Sequence, residues 1–362
     1  MSQRAVTLIR QQAEACRQLG SPFYASLLER LAEDVAAGGV GSVVIAGHED
    51  DPGPSALALR LMAAVHRMVL TGQAPALAAH YPSVGGDGDE VAAWPALREV
   101  LERHVAAVRA GLASPPQTNE VGRSAALFGG LLQVLGAAEQ PALPVRLMEI
   151  GSSAGLNLLA DRFAYRTADG RQWGRDDATD VVLDPAWETW PPGIPPAVEV
   201  VERTGCDLSP IDPRAENGAL ALLSCVWPDQ THRLDRLRGA LSLAQAHPVA
   251  LVRQGGGDFI GGLELRDGHH TVVWHSVMWQ YMPAEEQERI LARLAELGAT
   301  ATPERTLTHL AFEPRRLEPG APHRFVVAAR TWPGGEEQIL GEAPPHGVPV
   351  RWGGPTRQDP GR

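Results

Sequence analysis

Along the first 140 residues apolar positions recur every three or four residues, the spacing that lines one face of a helix. The pattern predicts helices over residues 6–19 and 23–37, parted by Ser21-Pro22, and further helices over 55–70, 91–112 and 121–135. The stretch Pro115-Pro116-Gln117-Thr118-Asn119-Glu120 reads as a rigid polar lead-in to the last of these, with Thr118 or Asn119 as its N-cap. From Pro144 onward short apolar runs alternate with helical stretches, the grammar of a mainly parallel sheet. Strands are predicted at residues 145–150, 198–204, 249–253, 271–277, 306–312 and 324–331, and a last strand near 348–352 is expected to pair antiparallel with the sixth. Helices are predicted at 154–165, 229–245 and 284–297, and the Pro-, Trp- and Asp-rich residues 166–197 read as an insertion outside the core. The Pro/Gly-rich tail after Trp352 reads as frayed.

Composition narrows the function classes. The chain has 362 residues and a net charge of −11, enough length for two domains that each bury a core. The acidic balance argues against a general nucleic-acid or membrane-surface binder. No run of about 18 apolar residues occurs, and Met1-Ser2-Gln3-Arg4 starts no apolar signal core, so a soluble, cytoplasmic protein is expected. Cys16, Cys206 and Cys225 are too widely spaced for a disulfide framework or a zinc knuckle, and no acidic or histidine cluster has metal-ligand spacing. The chain contains no lysine, which removes a Walker-type phosphate loop, Schiff-base chemistry and any lysine base.

The most informative string is Glu149-Ile150-Gly151-Ser152-Ser153-Ala154-Gly155, a buried strand running into a glycine-rich turn. Read through Gly151, Ser153 and Gly155, it is the G-x-S-x-G nucleophile elbow of a hydrolase, with Asp258 and either His275 or His309 as triad partners. That elbow normally follows several strands, whereas the region before it here is helical. A dehydrogenase would want G-x-G-x-x-G, and the middle glycine position is Ser153. Read through Glu149, Gly151 and Gly155, the string resembles the E-x-G-x-x-x-G loop of class I methyltransferases that use S-adenosylmethionine.

That resemblance implies a set of roles. Glu149 orders the loop or meets the ligand's amino group, Gly151 and Gly155 admit the ligand, Ser153 offers a hydroxyl, and Asn157 reaches the cofactor loop. Asp207, ending the next regular strand, accepts the ribose hydroxyls, and Asp258 with Phe259 holds the adenine. His275 ends the fourth strand, placed as a general base for the transfer, with the structural histidine as the competing reading. Asn119, Glu120 and Arg123 cover the ligand from the helix before the first strand, with helix capping and a Glu120–Arg123 ion pair as the competing reading, and Trp227, Ser276, Trp279 and Tyr281 shape the acceptor side. Trp227-Pro228-Asp229-Gln230 opens a helix, with capping as the alternative role of that string.

Five ordered strings, at residues 119–124, 149–162, 205–212, 226–230 and 275–281, together resemble a bacterial family known as domain of unknown function 2332, over nearly the whole chain. The resemblance implies the fold but no reaction. The expected architecture is α/β: a helical N-terminal cap domain over residues 1–140, and a doubly wound, mainly parallel, methyltransferase-like domain over 141–362. The expected activity is methyl transfer from S-adenosylmethionine to a small-molecule acceptor. An α/β-hydrolase using Ser153 and a non-catalytic binding protein remain the alternatives.

Overall fold

The computed structural model describes residues 3–113, 117–138, 142–174 and 179–353. The expectations for Pro115-Pro116 and for the tail beyond Gly353 lie outside the described residues. Two compact units result, Met1–Thr118 with Ala215–Arg238, and Asn119–Arg214 with Gly239–Arg362. In chain order, α1 (Gln3–Gln18), α2 (Pro22–Ala36), α3 (Val40–Val44), α4 (Leu57–Leu70), α5 (Pro75–Ala78), α6 (Glu90–Arg103) and α7 (Val105–Gly111) belong to the first unit. The second unit starts with α8 (Ser124–Gly136), β1 (Val145–Ile150), β2 (Ala164–Thr167), β3 (Gln172–Trp173), β4 (Val182–Trp187) and β5 (Val200–Asp207). The chain returns to the first unit with α9 (Glu216–Ser224) and the start of α10 (Thr231–Ala246). It completes the second with β6 (Ala250–Arg253), α11 (Gly256–Gly261), β7 (His269–Ser276), α12 (Ala284–Ala299), β8 (Arg305–Arg315), β9 (Arg324–Trp332), β10 (Glu337–Ala343) and β11 (Arg351–Trp352).

The first unit is helical, with no strand among the described residues. Its helices bury one apolar face each, and Leu27, Leu28 and Leu31 of α2 meet Leu61 and Val65 of α4 and Leu97 of α6 in one core. The single helix expected over 91–112 is broken at His104, whose backbone (φ −125°, ψ 29°) leaves the helical region. Asp229 does not cap the helix that follows it. Its carboxylate accepts from Ser21 Oγ (2.6 Å) and from Phe23 N (3.1 Å), so it holds the start of α2. His66 is fully buried, its Nδ1–H donating to Ser224 O (3.2 Å) and its Nε2 accepting from Ser83 Oγ (2.8 Å).

The second unit is mixed α/β around an eight-stranded, mainly parallel sheet of order β11-β10-β9-β8-β7-β1-β5-β6. The parallel half, β6-β5-β1-β7-β8, grows outward from β1 in both directions, so the strand order reverses between β1 and β7. The six strands expected at 145–150, 198–204, 249–253, 271–277, 306–312 and 324–331 are β1, β5, β6, β7, β8 and β9. The expected pairing of the last strand is corrected: β10 lies between, β9 pairs antiparallel with β10, and β11 pairs with β10 through Gly341 and Trp352. The turn residues Pro333-Gly334-Gly335 close a hairpin that brings β10 beside β9.

Side chains alternate between the two faces of the sheet. Met148, Ile150, Val273 and Leu307 lie on the face covered by Ile290 and Leu294 of α12. The other face receives α8, where a Cβ on Gly130 would stand 3.0 Å from Leu310 and from Val327. The next position, Gly129, admits the Trp352 ring, which a Cβ there would meet at 2.3 Å.

One further expectation is corrected. Residues 154–165 do not form an α-helix; Leu156–Arg162 is a 3-10 turn, and Phe163 turns extended as Tyr165 enters β2. The aromatic residues there have a better partner than a continued helix, because Tyr165 stacks on Trp187 of β4 (centroids 5.2 Å, 2°) and on Phe128 of α8 (5.4 Å). Between β1 and β5, β3-β2-β4 form a small sheet separate from the eight-stranded one, and the fully buried Trp187 donates to Ala125 O (3.0 Å). No helix among the described residues is long and apolar enough to cross a membrane.

Burial holds His66 and His270 neutral, each lowered from an ordinary 6.5 to about 4. Between those values the unfolded chain carries the proton and the folded protein does not, so stability falls as pH falls through that window. The slope is at most about 1.4 kcal/mol per pH unit for each histidine. Urea unfolding midpoints are expected to drop between pH 7 and pH 4.5. His66→Gln with His270→Gln should flatten that dependence; an unchanged slope in the double variant contradicts the assignment.

Candidate functional site

In open α/β sheets ligands bind outside the carboxyl ends of the strands, where the strand order reverses. Here that place is the end of β1 beside β7 and β5, and the Glu149–Gly155 string occupies it. Gly151 (φ 68°) and Gly155 (φ 69°) are left-handed, and so is Ser153 (φ 52°), a conformation that costs a residue with a Cβ. A Cβ on Gly151 would meet Met278 Cγ at 2.9 Å. The neighbouring strand holds the turn. Ser153 N donates to Asp207 Oδ2 (3.0 Å) and Ser152 N to Cys206 O (3.0 Å), while Asp207 Oδ1 accepts from Ser209 N (2.8 Å). Each Asp207 oxygen therefore already carries one backbone N–H.

The residues before α8 reach the same loop. Asn119 does not cap its own helix as expected; its Oδ1 accepts from Leu156 N (2.9 Å), and Glu120 supplies the cap by accepting from Gly122 N (3.1 Å). Ser124 Oγ donates to Asn157 Oδ1 (2.8 Å), both side chains buried. Arg123 donates to Pro345 O (3.2 Å) and to Ser276 O (3.4 Å), which ties the end of β7 to the α8 turn. Asp161 is a structural residue, paired with Arg203.

Against this satisfied frame three buried groups stand out. Glu149 is 2% exposed with Oε2 lacking any hydrogen-bond partner, and Ser153 Oγ and Trp274 Nε1 are buried without partners as well. Trp274 is level with Glu149 in the β1–β7 register, on the same face. Burial pushes the Glu149 carboxyl well above the usual range; the Trp274 and Asn157 side chains pull it back, Asp207 adds to the rise and Arg123 opposes it. Other buried polar atoms among the described residues are unpaired as well, such as Thr306 Oγ1 and Trp352 Nε1, but these three lie together at one strand end, where the strand order reverses.

His275 sits elsewhere. It shares the face of Val273, opposite Glu149, and is 2% exposed. Its Nδ1 meets Glu313 Oε1 (2.8 Å), its Nε2 meets His309 Nε2 (3.0 Å), and its ring stacks on Trp279 (4.6 Å, 18°). Glu313 and His309 were not singled out together by the sequence; the available signal was a charged residue two positions beyond an alternating inward run, Leu307, His309 and Ala311. Glu313 Oε1 also accepts from Met278 N (3.1 Å) and Trp279 N (3.3 Å), which pins a turn in which Val277 adopts φ 49°, a strained value for a β-branched residue.

Other predicted residues do not join either group. Asp258 is exposed and ion-paired with Arg289 (2.9 Å), and Phe259 packs against the core under α12. Tyr281 is 61% exposed. Trp227 is buried in the core of the helical unit, with the Arg233 guanidinium 5.7 Å from its ring centroid.

A carboxyl raised by burial stabilises the fold least when it must ionise. The unfolded Glu149 loses its proton near an ordinary 4.5 while the folded one keeps it, so its contribution to stability declines as pH rises above 4.5. Glu149→Gln removes that decline. Its melting temperature should match or exceed the parent's at pH 8, with an advantage that shrinks toward pH 5. Thermal unfolding of both proteins over that range is the measurement, and a variant less stable than the parent at pH 8 contradicts the reading.

No curated protein matches this chain. Residues 6–352 match the family described as "Uncharacterized protein conserved in bacteria (DUF2332)". The left-handed loop after β1, the Asn119 and Ser124 contacts to it and the β7 turn thus fall within the matched span, and the chain belongs to the DUF2332 family.

Proposed function

We propose that the sheet unit binds S-adenosylmethionine at the ends of β1 and β5 and serves methyl transfer to a small-molecule acceptor. The observation that carries this reading is the buried Glu149 carboxyl with an unmatched oxygen, beside the unmatched Ser153 hydroxyl, on a left-handed loop where strand order reverses. A cationic ligand group is what such a carboxyl lacks, and S-adenosylmethionine brings an ammonium and a sulfonium. When bound, the cofactor supplies an electrophilic methyl group.

The chain's own residues would do the rest. Glu149 would ionise against the ligand's ammonium. Asp207 keeps a second lone pair on each oxygen for ribose hydroxyls while its first pair holds the loop. Gly151 lets the backbone approach. Asp258 is exposed and paired with Arg289, and Phe259 packs on the core, so neither supports an adenine contact.

The hydrolase alternative rests on the left-handed backbone of Ser153. Its Oγ has no hydrogen-bond partner, so no base activates it. A fluorophosphonate probe is expected to leave Ser153 unlabelled; covalent labelling there would replace the methyltransferase reading with the hydrolase one.

Binding of S-adenosylmethionine or its demethylated product should raise the melting temperature by mass action. In calorimetry, Glu149→Gln and Asp207→Ala should each weaken binding by about ten- to a hundredfold, as expected for loss of a charged hydrogen bond. Gly151→Val, which must both leave φ 68° and displace Met278, should abolish it. Absence of binding at millimolar concentration, or parent-like affinity in all three variants, sinks the proposal.

A further inference from the structure

The three side chains on the α12 face form an ordered chain. A carboxylate only accepts, so His275 Nδ1–H donates to Glu313 Oε1 at 2.8 Å. That leaves His275 Nε2 as a lone pair, and the 3.0 Å contact then requires His309 Nε2–H as its donor. His309 Nδ1 is left as a bare lone pair. It has no partner among the described residues and is not one of the buried unpaired atoms, and His309 itself is half-buried. We propose that Glu313, His275 and His309 form a proton relay whose accepting atom is His309 Nδ1, serving a small protic molecule with an O–H, N–H or S–H group.

The step balances without a further reagent. A proton passes from X–H to His309 Nδ1 while His309 Nε2–H passes to His275 Nε2; the bond pair stays on X, and His275 becomes an imidazolium against Glu313. Release of the proton to water reverses the transfer. His309 is the residue that touches the molecule, and His275 and Glu313 are positioning residues. Desolvation, then His275, Arg315 and Arg330, hold His309 well below the ordinary histidine range, so its lone pair stays free at neutral pH. The relay moves the arriving charge off that unfavourable ring onto one that faces a carboxylate and stacks on Trp279.

The charged neighbours are few. On β8, Arg315 is neutralised by Glu337 (2.8 Å); on β9, Arg330 stands directly across from His309 in the ladder and is exposed. From α12 the contact is the neutral Gln287, which donates to Trp279 O (2.9 Å). Glu313 is fixed independently of the histidines by the Met278 and Trp279 N–H groups. The relay does not rest on the methyl-transfer reading.

Long-range ¹H–¹⁵N spectra of the full chain, labelled at histidine, test the relay. At neutral pH His275 should be protonated at Nδ1 and His309 at Nε2, and on acidification the imidazolium signature should appear at His275 before His309. Glu313→Gln should abolish that order, while His309→Gln should leave the His275 Nδ1–H in place. A His309 Nδ1–H tautomer, protonation of His309 first, or tight binding of added Zn²⁺ with loss of both ring signals each overturns it. If Glu313→Gln does not fold, the parent tautomers and His309→Gln still decide. Failure of cofactor binding with intact relay spectra would remove the methyl-transfer reading alone.

Discussion

Ser153 holds its backbone at φ 52°, a conformation its own side chain disfavours, and the Asp207 carboxylate at the end of β5 keeps it there. One Asp207 oxygen takes the Ser153 N–H and the other takes Ser209 N–H, so two loops on adjacent strands share one anchor. Turning the chain left-handed at Gly151, Ser153 and Gly155 aims the loop back over the sheet edge rather than into an α-helix. Asn119 meets the freed Leu156 N–H, and the α8 turn is drawn to the same edge. Strain of this kind persists only where the surroundings over-determine it, and here they come from β5, the α8 turn and β1 itself.

The two faces of the sheet edge are in opposite states. On the face with α8, Glu149, Ser153 and Trp274 keep polar atoms buried and unmatched. On the face with α12, Glu313 Oε1 collects three N–H donors and the two histidines satisfy one another, although Glu313 Oε2 remains free. A buried unmatched polar atom costs about 1–3 kcal/mol, a cost the first face carries at three atoms and the second at Glu313 Oε2. On the second, contacts run in sequence from His309 through His275 to Glu313. The register thus turns Trp274 and His275, neighbours on β7, to opposite faces of the sheet.

The helix α8 is the mechanical link within the sheet unit. Its Gly129-Gly130 pair lets the sheet and Trp352 approach its backbone, and Phe128 on its other side joins the Tyr165, Trp173 and Trp187 cluster. The small sheet of β2, β3 and β4 is therefore bonded into the core that carries the loop, and its Trp187 indole reads the α8 backbone directly at Ala125 O. Replacing Gly129 by any side chain would require Trp352 to move.

The apolar runs by themselves determined most strands of the parallel half, because a buried parallel strand needs near-continuous hydrophobicity that little else in the chain shows. They also determined the helical character of residues up to 113 and the glycine-rich turn after β1. Periodicity misjudged residues 154–165, where aromatic side chains find strand partners that only the folded small sheet provides, and it missed β10, whose place depends on a hairpin pairing rather than on its own apolar content. The site divides in the same way. Glu149, Ser153, Asn157 and Asp207 were legible because they lie on or beside one loop in a recognisable order. What tertiary structure alone decided is which face each strand-end residue takes: the register of β1 with β7 sets Trp274 beside Glu149 and turns His275 away, toward a Glu313 38 residues further along the chain. Side-chain alternation is local, but the pairing that gives it a meaning is not.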